Sequence, residues 1–434
     1  MKKIAVFLLL AMLLTLLCGC DLTNVDIPVP PVIETEPTLT LGVITDLTDE
    51  RKSPEEAEPD GVAFYYGVQC AVNEAVEMSR AELKVVLLRG DIKGDITKAK
   101  SILSEMIAKG VDAVVCNQVI AKKIVSTAEK NDVLLMVPDA DEQGVSFPKK
   151  DDEDQTPDSL VRKHKNVYTI LPDGKEYGKI AAFYAKLQNY AKVLVVYDKN
   201  DVFWKDAADS FTEALEGYGK KVVESKEINF DNADLTRETM EKLCERNTCD
   251  AIFLGCPFDR AVLSGIPGAN YGGCYGKCFC YSAATNYQVA LETKDGGYHG
   301  MNNECLLSIF SNIPKKGHND DFYNKYETLY GETASFSSAI AYDAASVVIA
   351  AALKAGGGDF DSLCFGLRDL RYDGVTGLVR YADDSGFVLR SLYGMSFSYS
   401  YESESYTTRI KYPAICLRED ALEIQPEEPE EAEK

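Results

Sequence analysis

From Leu39 onward, short apolar runs alternate with longer amphipathic segments, and the alternation runs through the chain twice. Strand-length runs separated by helical patterns are the signature of a parallel sheet with crossover helices. In the first pass, Leu39 to Thr45 reads as a strand and Gly61 to Met78 as a helix, with Val62, Tyr65, Tyr66, Val72 and Val76 on one side. Leu83 to Leu88 is the next strand. Ile96, Ala99, Ile102, Leu103, Met106 and Ile107 then fall at helical spacing between Asp95 and Gly110, the glycine marking the stop. Asp112 to Cys116, a helix over Ala121 to Asn131, and Val133 to Val137 complete this half.

Residues 139 to 165 interrupt the rhythm with charge and two prolines, Pro148 and Pro157, and read as a surface excursion. The alternation restarts with Val167 to Ile170 and a helix over Glu176 to Asn189. Strand Lys192 to Tyr197, helix Trp204 to Tyr218, strand Lys221 to Ile228, helix Leu235 to Arg246 and strand Ala251 to Leu254 follow. Residues 265 to 281 are rich in Gly, Tyr and Cys and fit no simple period. A helix over Asp320 to Tyr330 precedes a nearly all-apolar one, Ala339 to Ala355, which must be buried on most sides. Gly356-Gly357-Gly358 ends it. A helix over Phe360 to Asp369, then Tyr372 to Tyr381 and Phe387 to Leu392, forms a closing hairpin that turns at Asp383-Asp384-Ser385-Gly386. A chain of 434 residues exceeds what one core supports. The fold class expected is therefore α/β, with two doubly wound, Rossmann-like lobes.

The N-terminus carries Lys2 and Lys3, then Ile4 to Leu17 without a charge, a run shorter than the roughly twenty residues that span a bilayer. It ends in Leu17-Cys18-Gly19-Cys20, which resembles a bacterial lipoprotein signal. The resemblance implies cleavage of residues 1–19, acylation of Cys20 and an extracytoplasmic protein anchored to the membrane by lipid. Its alternative is an ordinary secretory signal cleaved nearby. Residues 20–38, with Pro28, Pro30, Pro31 and Pro37, read as an extended tether. The formal net charge of -23, with no Lys/Arg-rich face, argues against a nucleic-acid partner. Part of the acid is local, in Asp151-Asp152-Glu153-Asp154 and in the tail at 419–434.

The order of elements and several local strings resemble the type I periplasmic binding proteins, in particular the leucine/branched-chain amino acid binding proteins of ABC transporters. The strings are Leu41 to Thr48, Gly67 through Asn73-Glu74, and Ala99 to Val115 with Lys109-Gly110-Val111-Asp112-Ala113 at its joint. Tyr342-Asp343-Ala344 followed by Ala350 to Leu353, and Gly374-Val375-Thr376-Gly377 with Asp384-Ser385-Gly386, extend the likeness to about Phe397. It implies two lobes joined by a three-crossover hinge, with the N-terminal lobe at 39–166 and 283–356 and the C-terminal lobe at 167–282 and 357–418. It also implies a ligand held between them, where loops converge at the C-terminal ends of strands.

Amino acid binders of that family hold the ligand carboxylate in one lobe with hydroxyls and backbone N–H groups, and an acid of the other lobe takes the ammonium. Carried over by position, the hydroxyl site falls at Gln118. The next loop contributes Asp139 and Asp141, where the family has small and hydroxyl residues. A ligand carboxylate between two ionised aspartates is repelled by on the order of 4 kcal/mol per close pair at an effective dielectric of ~20. The packing aromatic falls at Phe203 or Trp204, and the ammonium-binding acid at Asp259. Trp204 has a plain alternative as a helix-start residue packed on its own lobe, and Asp259 as a helix N-terminal charge. If Asp139, Asp141 and Asp259 all face the cleft, the ligand is cationic or rich in hydroxyls.

Thirteen cysteines leave open disulfides, buried thiols, or a zinc site at Cys274, Cys278 and Cys280 with Cys305. The last lacks the paired knuckles of a zinc motif. Cys244 and Cys249 are near enough in sequence to close a small loop. His164, His299 and His318 stand in no metal or relay spacing, and neither a nucleophile elbow nor a phosphate loop is present. The expectation is a binding protein rather than an enzyme, with no cofactor, that delivers a small polar solute to a permease. The other class open to such a chain is a ligand sensor, or a surface lipoprotein that binds another protein.

Overall fold

The computed structural model describes residues 37–48, 60–78, 82–138, 164–230, 232–256, 278–282, 305–308, 318–381, 388–390, 392–400 and 405–415. By its internal contacts the chain divides into Met1–Glu36 and Pro37–Lys434, and every described residue belongs to the second unit. Cys20, the tether as far as residue 36, residues 139–163 of the excursion and the acidic tail lie outside the described residues, while Thr38, counted in the tether, opens the first strand.

The first sheet takes β1 (Thr38–Thr45), β2 (Lys84–Asp91), β3 (Ala113–Cys116), β4 (Leu134–Met136) and β5 (Val167–Tyr168) in the order β2-β1-β3-β4-β5, all parallel. Its helices are α1 (Asp60–Met78), α2 (Ala99–Ala108) and α3 (Gln118–Glu129). Neighbouring strand residues point to opposite faces. Leu39, Leu41, Val43, Ala113, Val115, Leu134 and Met136 accordingly enter one buried cluster, while Ile44, Val114, Cys116 and Leu135 enter another. Both faces are covered, which is why these strands read as continuous apolar runs. The helix ends follow local chemistry. Asp95 accepts from the Thr97 N–H at the turn into α2, and Gly110, at φ 76°, takes the left-handed conformation that ends the helix.

The second sheet contains β6 (Lys192–Asp198), β7 (Lys221–Ile228), β8 (Ala251–Gly255), β9 (Cys278–Ser282), β10 (Cys305–Ser308), β14 (Leu392–Ser400) and β15 (Ser405–Ile415) in the order β15-β14-β10-β9-β8-β6-β7. The five from β10 to β7 are parallel, and β14 and β15 add an antiparallel hairpin. The helices here are α4 (Gly174–Leu187), α5 (Val202–Gly217) and α6 (Ala233–Arg246). From sequence the second lobe begins at Val167, yet that strand closes the first sheet, and the crossing starts at Thr169. Cys305–Ser308 falls in the stretch 283–356 assigned to the first lobe, and its pairing with β9 and β14 puts it in the second sheet.

Two helices from the same stretch lie against the first lobe. α7 (His318–Tyr330) and α8 (Phe336–Ala355) pack against α1. Tyr330 stacks on Tyr66 at 4.0 Å, and Tyr342 donates from its hydroxyl to Glu74 at 2.8 Å. α8 and α1 approach so closely that a Cβ at Gly67 would lie 2.1 Å from the Ser338 carbonyl oxygen. α8 is long and apolar enough to cross a membrane, but it is largely buried here as a core helix. Gly356, left-handed at φ 73°, caps it, and α9 (Phe360–Leu367) then packs back on it, although 357 onward is expected in the second lobe.

A small third sheet follows, of β11 (Arg371–Gly374), β12 (Gly377–Tyr381) and β13 (Val388–Arg390), with antiparallel pairing throughout. The segment Tyr372 to Tyr381, expected as one strand, is itself a hairpin that turns at Val375-Thr376. The cause is Asp343, wholly buried on α8. Its carboxylate accepts from the N–H groups of Val375 and Thr376, each at 2.8 Å, and from the Thr376 hydroxyl. Arg390, also wholly buried, donates to the Thr376 carbonyl at 2.9 Å and hydroxyl oxygen at 2.7 Å. Burial pushes the Asp343 carboxyl up, and the Thr376 hydroxyl, the Arg390 charge and the two N–H groups oppose it.

Cys249 is disulfide-bonded while Cys244 is a free buried thiol, so these two do not close a loop. Burial pushes both Cys70 and Cys244 up to about 11, which makes them small hydrophobes rather than nucleophiles.

Candidate functional site

Open parallel sheets bind ligands outside the carboxyl ends of their strands, where the strand order reverses direction. In the first sheet the order reverses between β1 and β3; in the second, between β6 and β8. The loops that leave these four strands are therefore the candidate site. They begin at Asp46, Asn117, Lys199 and Cys256.

In the first lobe, Asp46 organises the loop after β1. It accepts from the Thr48 N–H at 3.1 Å, the Thr48 hydroxyl at 2.8 Å and the Gly94 N–H at 3.1 Å. Burial alone raises its carboxyl, but these donors and the Lys98 charge outweigh that and hold it below the ordinary range. Asp91 fastens the same loop from β2 by accepting from the Leu47 N–H at 3.1 Å. After β3, Asn117 caps α3 by accepting from the Ile120 N–H at 2.9 Å, and Gln118 is the first residue of the helix, half-buried. The cap is a neutral amide, so the positive end of this helix meets no carboxylate from its own cap.

The second lobe differs. Asp201 caps α5 by accepting from the Phe203 N–H at 2.9 Å, and Asp173 caps α4 by accepting from the Glu176 N–H at 2.6 Å. Both helix starts thus carry their own carboxylate. Burial pushes Asp173 up, opposed by that N–H and by Lys175 and Lys179, with Asp206 adding to the rise. Asp198, at the end of β6 and nearly buried, accepts from the Asn200 N–H at 3.0 Å.

Phe203 is half-buried, its ring nearly parallel to that of Tyr177 at 6.0 Å between centroids. Trp204 is only 5% exposed. Its ring stands edge-on to Tyr177 at 5.9 Å and to Phe203 at 4.9 Å, inside the core cluster. Of the two aromatics expected at the site, Phe203 keeps exposed surface and Trp204 packs within its own lobe. Asp139, Asp141 and Asp259 lie outside the described residues, as do the side chains of Cys274, Cys278, Cys280 and Cys305. Among the described residues no group of three or more His, Cys, Asp or Glu side chains is placed to hold a metal ion.

Two features of the strand-end region were not picked out from sequence. One is the Asp46–Asp91 pair, which spans strands far apart in the chain and leaves no local mark. The other is Asp173, whose spacing in Asp173-Gly174-Lys175-Glu176 matches a helix-start signature and was legible.

Comparison with known proteins agrees with this architecture. Residues 38–399 match the family model described as periplasmic binding protein. A leucine binding protein from Thermotoga maritima is 18% identical, with a TM-score of 0.58 over 87% of this chain and 99% of that one. A branched-chain amino acid transporter substrate-binding protein from Streptococcus pneumoniae, in complex with isoleucine, is 20% identical, with a TM-score of 0.58 over 86% and 99%. A solute-binding protein of an ABC transporter from Rhodopseudomonas palustris, in complex with p-hydroxybenzoic acid, is 15% identical, with a TM-score of 0.59 over 86% and 96%. No curated protein matches the chain. With the family model covering the chain from β1 nearly to the end of β14, the chain belongs to the periplasmic binding protein family.

Proposed function

We propose that the protein captures a small polar solute between its two lobes outside the cytoplasmic membrane and delivers it to an ABC permease. The observation that carries this reading is the placement of Gln118 and Phe203 beside the two points where strand order reverses. Family membership and similarity to transporter-associated solute-binding proteins support it.

The helix ends suggest how a ligand lies. An acidic or otherwise electron-rich group suits the start of α3, where Asn117 leaves the helix dipole uncompensated. The second lobe, with its carboxylate caps, suits a cation or a hydrogen-bond donor, and Phe203 supplies an apolar wall. Isoleucine and p-hydroxybenzoic acid, bound by two similar proteins, both carry a carboxylate. Asp139, Asp141 and Asp259 would bias this chain toward cationic or hydroxyl-rich solutes.

Thermal-shift screening of the protein against amino acids, polyamines, sugars, nucleosides, hydroxybenzoates and short peptides tests the reading. A ligand of the native state at a hundredfold excess over its Kd adds about 2.7 kcal/mol. A hit whose shift disappears in Phe203→Ala is the expected result. Hits confined to anions would refute the cationic bias, and silence across the panel would favour a protein-binding lipoprotein.

The lipid anchor at Cys20 belongs to the same proposal. Wild type should partition with membranes, whereas Cys20→Ala should lose the acyl chains in intact-mass analysis and leave the membrane fraction. An unchanged mass difference between the two would remove the anchor.

A further inference from the structure

Two connections lead between the sheets, and a buried tyrosine bonds to the first of them. The first runs from Tyr168, at the end of β5, through Thr169–Asp173 into α4. The other runs from Arg390, at the end of β13, to Leu392, where β14 begins. Tyr381 lies in β12, paired with Val388 of β13, and is 1% exposed. Its hydroxyl donates to the Thr169 carbonyl oxygen at 2.8 Å, and its ring meets Tyr168 edge-on at 5.8 Å. Thr169 is the first residue past the β4–β5 ladder, whose closing bond runs from the Val137 N–H to the Tyr168 carbonyl at 2.8 Å. A side chain of the small sheet therefore extends the hold on the first crossing by one carbonyl. Arg390, at the foot of the other crossing, is held through Thr376 to Asp343 on α8.

We infer that Tyr381 is the restraint on the hinge: its hydroxyl ties the first crossing to the small sheet and sets how far the lobes turn. The inference rests on the reading of a two-lobed protein that closes on a solute. Lobe closure needs a few residues in the crossings to change their φ and ψ. Pro172 has a fixed φ, the Leu171 N–H bonds the Thr169 hydroxyl at 3.2 Å and Ile170 is wholly buried, so the bond from Tyr381 to the Thr169 carbonyl adds to a crossing whose backbone is already closely held. Through this bond one hydroxyl of the small sheet, which also lies 3.9 Å from the Met136 sulfur of β4, acts directly on the first crossing.

The test uses the full chain in detergent, with spin labels on unnatural amino acids at Lys123 of α3 and Glu241 of α6, both exposed, so that the native cysteines stay untouched. Double electron–electron resonance reads the lobe separation in wild type, in Tyr381→Phe and in Tyr342→Phe. The last removes a comparable hydroxyl bond, to Glu74, within the first lobe. Tyr381→Phe should change the ratio of the two separations about fivefold, as loss of one hydrogen bond predicts. Tyr342→Phe should leave it unchanged.

Two separations in wild type with the same ratio in Tyr381→Phe would overturn the restraint while leaving solute capture intact. An equal shift in Tyr342→Phe would also overturn it, by showing a general loss of stability. One narrow separation in all three proteins would overturn it as well, and with a silent ligand panel would take the capture reading too.

Discussion

Asp343→Ala should lower the stability of the protein by about 3–5 kcal/mol, the range for removing one partner of a buried charged pair. Three donors converge on this carboxylate: the Val375 and Thr376 N–H groups and the Thr376 hydroxyl. None of the three has water to turn to, because Asp343, Val375 and Thr376 are all buried. Without the carboxylate the buried Arg390 guanidinium also loses the opposite charge that it meets through Thr376. Asp343→Asn keeps one acceptor but turns an NH2 group toward donors, so an intermediate loss is expected. Gly374 is bound to the same design, since a Cβ there would sit 2.5 Å from the Asp343 carboxyl group. Urea unfolding followed by circular dichroism reads the effect. A loss below about 1 kcal/mol for Asp343→Ala would mean that the clamp contributes no more than an ordinary neutral hydrogen bond.

Gly67→Ala should cost about 3 kcal/mol, near the top of the usual range for overpacking. The contact of the new Cβ is not with the end of a flexible side chain but with the main-chain carbonyl of Ser338, 2.1 Å away, and with the Ser338 Cα at 3.0 Å. Relief requires α1 and α8 to separate by about an ångström along their closest approach, loosening Val68, Ala71, Ala339 and Tyr342 in the shared core. Helix propensity works the other way, since alanine is favoured over glycine in a helix interior by about 1 kcal/mol. The sign of the measured change therefore decides between local propensity and packing. A melting midpoint at or above that of wild type would show that the two helices yield freely.

The strands and helices of both lobes were legible because each carries its own period. Lys221 to Ile228 was bounded as observed, and the ends of most other elements lie within a few residues of their expected positions. What the sequence conceals is pairing. Val167–Tyr168 is too short to have a pattern, and only its ladder with β4 assigns it to the first sheet. Cys305–Ser308 joins the second sheet between β9, the strand before it in the chain, and β14, which lies far beyond it. The turn at Val375-Thr376 lies in a segment that reads as one strand, since the group that bends it, Asp343, is 32 residues earlier. Cys278–Ser282 is hidden among Gly, Tyr and Cys, and its neighbours β8 and β10 make it a strand.

The candidate site was legible in proportion to its dependence on connectivity. Gln118 follows a clear strand and Phe203 opens a clear helix, so their positions beside the reversals of strand order follow from topology alone. Burial separates Phe203 from Trp204, and that depends on Tyr177 one helix earlier. The Asp46 loop depends on Gly94 and Asp91, which no spacing rule connects to it.

The position of Trp204 gives the protein a built-in optical reporter. It is the only tryptophan in the chain, enclosed by Tyr177 and Phe203 and next in sequence to the ring proposed to wall the ligand. Its emission comes from one indole in one environment, so spectra need no decomposition into several sources. The apolar cluster that encloses it is continuous with Tyr168, Val68 and Leu39 in the first lobe. A quencher in solvent meets a shielded fluorophore in the native state, and the loss of that shielding follows the core that the two lobes share.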